Sequence, residues 1–140
     1  MATKQISEKV YSKEGALTVI TATATIGGSG APTLVTTTGH SKGVTSIVHN
    51  SAGNYTITLD NTYSQFRGIL ITRVKSDGAI SAPATAVIAE DVASAKTINF
   101  ETMAATITGT EPSETVGYVV EDPSSGSTLH IVIFLNDTVS

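Results

Sequence analysis

The segment Asn54-Tyr-Thr-Ile-Thr-Leu59 constrains the fold more than any other, because Tyr55, Ile57 and Leu59 alternate without a break with Thr56 and Thr58. A period of two puts the three apolar residues on one face of a strand and the threonines on the other, whereas a helix would scatter them around its circumference. Just upstream, Val44-Thr-Ser-Ile-Val-His49 runs into Asn50-Ser-Ala-Gly53, whose glycine tolerates the positive φ needed where an antiparallel pair reverses. A third run, Ile69-Leu-Ile-Thr-Arg-Val74, ends at Ser76-Asp77-Gly78. Three strands joined by short links predict a β-meander as the nucleus of the fold.

The same period recurs along the chain. In Leu17 to Ile26, Ile20, Ala22, Ala24 and Ile26 face one way and Thr21, Thr23 and Thr25 the other, and the small alanines imply close approach of a facing sheet or subunit. Gly27-Gly-Ser-Gly-Ala-Pro32 breaks that strand. No Gly-Lys-Ser/Thr follows, and Pro32 falls before the third glycine that a dinucleotide fingerprint would need, so the segment reads as a loop. A Thr-rich run from Thr33 to Thr38 comes next. Asn61 to Phe66 lacks alternation and is expected to form one helical turn across the end of a sheet. Ala84–Ala89, Lys96–Glu101, a separate short Ala104–Thr108, and Thr115–Val120 read as strands; Val116, Tyr118 and Val120 share a side of the last. Glu111-Pro-Ser-Glu114 and Glu121-Asp-Pro-Ser-Ser-Gly126 flank it as solvated acidic turns. Thr and Ser make up roughly a quarter of the residues and sit inside the apolar runs, where β-branching suits a pleated surface. The expected fold is all-β: an antiparallel β-sandwich, jelly-roll-like, with about 8–10 strands. Residues 16–140 form one domain, preceded by residues 1–15 as an N-terminal arm or a first short strand.

Leu129-His-Ile-Val-Ile-Phe-Leu135 is apolar on both faces. Leu129, Ile131, Ile133 and Leu135 can fill a sandwich, which leaves Val132 and Phe134 beside His130 on the opposite side. Either a loop or a second copy of the chain must cover them, so His130, Val132 and Phe134 are candidates for an oligomer interface.

Composition narrows the chemistry. The 140 residues carry a net charge of −4 and only 14% charged side chains, which disfavours a partner rich in phosphate; no nucleic-acid role is expected. Without cysteine there is no disulfide, thiolate metal site or Cys nucleophile. His40, His49 and His130 have neither metal-ligand spacing nor a carboxylate beside them in sequence, so neither a metal nor a cofactor is expected. Glu90-Asp91 and Glu121-Asp122 are adjacent pairs whose side chains diverge in an extended chain, unsuited to glycoside hydrolysis, and the oxygen ladder of an EF-hand is missing. No Gly-x-Ser-x-Gly elbow is present, and the expectation is a protein that is not an enzyme. No run is apolar enough for a membrane span or a signal peptide, which predicts a chain made in the cytoplasm with no membrane partner. Lys4, Lys9 and Lys13 make the first fifteen residues the one locally basic region, either a solvated arm or one that reaches onto an acidic protein surface. Tyr63 and Phe66 remain as exposed aromatic platforms for a sugar.

At Gly43-Val-Thr-Ser-Ile-Val-His-Asn-Ser-Ala-Gly-Asn-Tyr-Thr-Ile-Thr-Leu59, and again at Asp122-Pro-Ser-Ser-Gly-Ser-Thr-Leu-His-Ile-Val-Ile-Phe-Leu-Asn136, the chain resembles small β-rich virion proteins of tailed bacteriophages, the capsid cement or decoration proteins. The resemblance implies a non-enzymatic structural protein on the outer surface of the head, made in the host cytoplasm. It would bind the major capsid protein, often as a homotrimer, and bridge capsomers. Lys4, Lys9 and Lys13 are then candidate capsid contacts. A receptor- or carbohydrate-binding β-sandwich module of a virion fibre, using Tyr63 and Phe66, is the alternative.

Overall fold

A computed structural model describes residues 9–12, 15–37, 41–75 and 84–137. Among them there is no helix; ten strands form two antiparallel sheets. The first sheet contains β1 (Lys9–Ser12), β2 (Gly15–Ile26), β3 (Pro32–Leu34), β6 (Gln65–Val74) and β10 (Thr128–Asp137). Its order is β1-β2-β10-β6, with β3 paired to the far end of β2. The second sheet contains β4 (Val44–Ser51), β5 (Asn54–Leu59), β7 (Ala84–Asp91), β8 (Thr97–Thr108) and β9 (Thr115–Val120), in the order β4-β5-β8-β7, with β9 paired to β8.

Alternation fixes which side of each strand meets the other sheet. Ile20, Ala22, Ala24 and Ile26 of β2 and Leu129, Ile131, Ile133 and Leu135 of β10 are buried against Tyr55, Ile57 and Leu59 of β5 and Ile98 and Phe100 of β8, in one core. Tyr55 and Phe100 are stacked with ring centroids 5.3 Å apart, the two bulkiest fully buried side chains. Against β2, whose inward positions 22 and 24 are alanine, such volume is admissible; close packing needs large and small residues to complement one another.

The structure corrects three expectations. Val44–Leu59 is the expected hairpin, but β6 does not pair with β5 to complete a meander: β5 pairs with β8, and β6 joins β10 in the other sheet. The link between β5 and β6 makes the crossing, and its backbone groups explain why. The Tyr63 N–H donates to Val92 O of the second sheet's β7–β8 turn at 2.9 Å. One residue on, the Ser64 N–H and hydroxyl both donate to Asn136 O of β10, at 3.0 and 2.8 Å. Consecutive residues thus satisfy their donors in different layers, and no helical turn forms at 61–64. In the third correction, Ala104–Thr108 is not a separate strand but the second half of a twelve-residue β8.

That length has a consequence. The first part of β8 lies between β5 and β7, whereas beyond Met103 its only strand partner among the described residues is β9, paired from Met103↔Val120 to Thr108↔Thr115. Residues 104–119 therefore leave the sandwich as a two-stranded arm. The segment before β2 is in part a strand, β1, in antiparallel register with residues 15–18; residues 1–8 lie outside the described residues.

Because Phe100 is fully buried and stacked, Phe100→Ala is expected to cost about 3–5 kcal/mol. Urea unfolding followed by circular dichroism checks this, and a loss below about 1 kcal/mol would mean that the two sheets do not share the core described.

Candidate functional site

Polar chemistry concentrates at one carboxylate. Asp122 follows β9, and its Oδ1 accepts from the Gly53 N–H at 2.6 Å, from His49 Nε2 at 2.9 Å and from the Tyr55 hydroxyl at 3.0 Å. The Tyr55 hydroxyl has one proton and a second acceptor, Gly30 O, at 3.1 Å. One oxygen thus ties the β4–β5 hairpin to the β9–β10 link, and the phenol extends the tie to the β2–β3 turn. Two glycines make room. Gly30 (φ +77°) has the Asp122 carboxylate where a Cβ would stand, and Gly53 (φ +68°) has Thr102 O, Glu121 N and the Val120 side chain in that position.

Burial alone would raise the pKa of Asp122, but the Gly53 amide, the Tyr55 hydroxyl and His49 outweigh it and hold the carboxyl below its ordinary value of 3.8. Tyr55 moves the other way. Burial, then its bond to Asp122 and the charge there, push the phenol well above its ordinary value, so it stays protonated and donates. The expected solvated turn at Glu121-Asp122 is thus half right: Glu121 is exposed, while Asp122 is half-buried and its Oδ1 accepts three internal hydrogen bonds. Sequence reasoning missed the His49–Asp122 pair because 73 residues separate the two. The cluster joins an acid, an imidazole and a phenol, but Oδ1 is committed to internal donors, which is the chemistry of a structural knot. Beside it, Arg73, Lys75, Ala104, Glu121, Asp122 and Ser124 line an open recess of about 250 Å³ at the root of the arm.

A larger cleft, about 440 Å³, opens elsewhere on the sandwich between β2 and the β5–β6 link. Thr18, Thr21, Lys42, Asp60, Asn61 and Tyr63 are among its lining residues. Burial raises the pKa of Tyr63; a bond with Asn61 opposes this and the charges of Asp137 and Asp60 add to it. Of the two expected aromatic platforms only Tyr63 borders the cleft. Neither stands free, since Tyr63 and Phe66 are both half-buried against the core, and this corrects their reading as exposed rings.

The outer face of the first sheet carries the expected interface residues. In β10, His130 is exposed, with Nδ1 3.4 Å from Thr23 Oγ1, while Val132 and Phe134 are half-buried. Register places Thr21 and Leu70 on either side of Val132, and Val19 and Gly68 on either side of Phe134. Leu70 is 61% exposed and Val74 52%. Lys9 lies in β1; Lys4, Lys13 and His40 fall outside the described residues. Among the described residues no three metal-ligating side chains gather.

Sequence reasoning did not single out the arm. Ile107 is 66% exposed, Val116 64%, Tyr118 61% and Val119 52%. The alternation of Val116, Tyr118 and Val120 was readable, but their exposure was not.

With the folded-state pKa of Asp122 depressed, the stability it contributes is complete above 3.8 and is lost as pH falls through the lower folded value. Asp122→Asn keeps the shape and weakens the charge-assisted bonds, so it is expected to lower stability at pH 7 by about 1–2 kcal/mol. The gap to the unmodified chain should close below pH 3.8 in urea titrations; a gap independent of pH would rule out the assigned ionisation. Comparison of the chain with protein-family models, with curated proteins and with solved structures returns no match.

Proposed function

We propose that this chain is a non-enzymatic cement or decoration protein of a tailed-bacteriophage head. It binds the outer surface of the shell through the major capsid protein, works as a homo-oligomer, with a trimer favoured, and stabilises the shell by bridging capsomers. The observation that carries the reading is an all-β body with two apolar surfaces that no described residue covers fully, the β8–β9 arm and the outer face of the first sheet around Val132, Phe134 and the exposed Leu70. Surfaces of that kind mark interaction sites. Further support comes from the Asp122 knot, whose hydrogen bonds hold loops together, and from the low charge of the chain. Lys4, Lys9 and Lys13 supply the one basic segment for an acidic capsid surface.

Attachment at a standard contact buries about 1,200–2,000 Å². Three linked contacts multiply into avidity that a single one lacks. No cofactor or nucleic acid takes part.

A second reading has one observation in its favour. The cleft bordered by Tyr63 offers Asp60, Asn61, Thr21 and Lys42 as hydrogen-bonding groups beside an aromatic ring, the combination that a carbohydrate-binding module of a virion fibre uses.

The purified chain is expected to co-sediment with undecorated phage shells and to raise the temperature at which they rupture. Lys4→Glu/Lys9→Glu/Lys13→Glu should weaken sedimentation by tenfold or more. Binding on a glycan array with no affinity for any shell would replace this reading with the carbohydrate one.

A further inference from the structure

The arm and the outer face of the first sheet fit each other. Along β8 the outer face of the second sheet changes character at Met103. Before it, Asn99 and Glu101 belong to a polar ladder with Asn50, Asn54 and Thr56, which is linked by bonds of 2.8–3.4 Å and suited to water. After it the same face continues as Ala105 and Ile107, paired with Tyr118 and Val116. Val119 projects from the opposite face of the arm and is also more than half exposed. An isolated two-stranded hairpin is marginal in water, and one that exposes Ile107, Val116 and Tyr118 on one side and Val119 on the other gains from cover.

The charges identify the cover. The charged side chains of the arm are Glu111 and Glu114 at its tip, with no Lys or Arg anywhere from residue 97 onward. Among the described residues, the outer face of the first sheet presents Val19, Thr21 and Thr25 of β2 around a buried Thr23, His130, Val132 and Phe134 of β10, and Leu70, Thr72 and Val74 of β6, without a carboxylate. Lys42 borders it beside Thr21, and Arg67 lies beside Gly68. An apolar shaft with an acidic tip therefore meets an apolar, threonine-rich face with a basic margin. Reach also agrees: six residues at about 3.3 Å each make roughly 20 Å, enough to cross three strands about 4.8 Å apart. A standard interface takes about 20–30 residues a side, a number that the sixteen-residue arm and its flanks approach.

We propose that the occupant is a second copy of this chain, the β8–β9 arm of one subunit lying across the outer face of the first sheet of the next. The inference rests on the self-association in the reading above and names its surfaces. Because the contact joins two different surfaces, it is head-to-tail, and repeated it builds a ring where the rotation between neighbours closes and an open filament where it does not.

The full-length chain should show a multiple of its monomer mass by light scattering. Tyr118→Glu, in the arm, and Leu70→Glu, on the face, should each give monomers with unchanged circular dichroism. Mixed one to one they should form dimers, because the first retains an intact face and the second an intact arm. A monomeric unmodified chain overturns the proposal. So does dissociation by only one of the two substitutions, which signals an arm-to-arm or face-to-face contact, and so does a mixture that stays monomeric. If a charged variant unfolds, Leu70→Cys and Tyr118→Cys in this cysteine-free chain decide instead: a bis-maleimide should link the two variants to each other and neither to itself. Shell binding is not read in any arm. An oligomer that ignores shells would sink the cement reading and leave the head-to-tail contact, and a monomer that binds them would sink the self-association and this contact while leaving shell attachment.

Discussion

β10 runs between β2 and β6 for most of its length, and its inward residues Leu129, Ile131, Ile133 and Leu135 are buried almost completely. Without them the first sheet would be two disconnected parts, β1-β2-β3 on one side and β6 on the other, each with an open hydrogen-bonding edge. Burying an aliphatic side chain of this size contributes about 1.5–3 kcal/mol, so one strand supplies a large part of the cohesion between layers. A central position also explains why β10 is apolar on both faces: its outer side is flanked by Val19 and Leu70 rather than by water alone.

Around that core the chain spends its few polar contacts on corners. The β5–β6 crossing is held by Tyr63 and Ser64, and three other connections converge on Asp122. Charge-assisted bonds from a carboxylate are the strong kind, and half-burial shields this one from screening. In a protein without disulfides such a knot ties together segments that are distant along the chain.

What the sequence discloses and what it hides follow from range. Alternation at 54–59 and 129–135 is a property of neighbouring residues, and both strands bury the faces that the pattern predicts. Which strand pairs with which is decided at a distance. Asn61-Thr-Tyr-Ser64 has the composition of a hairpin loop, and only its donors' partners, Val92 and Asn136, reveal a crossing. Asp122 looks like any acidic turn residue until His49, Gly53 and Tyr55 are brought to it. The arm was hidden for the opposite reason: each of its strands has good local periodicity, and what sets it apart is that β8 and β9 have only each other as strand partners there among the described residues.

The pairing of β2 with β10 joins segments synthesised more than 100 residues apart, Thr25 with Thr128 and Ala16 with Asp137. On a ribosome β2 emerges early and must wait, its Ile and Ala side chains uncovered, until the strand that completes its sheet has left the exit tunnel. The hairpin β4–β5 has no such delay. Folding rates fall as native contacts become more distant along the chain, so assembly should start in the second sheet and finish slowly in the first. During that interval β2 is exposed to the wrong partners, and its threonines, which keep one side of the waiting strand hydrated, lessen the hazard.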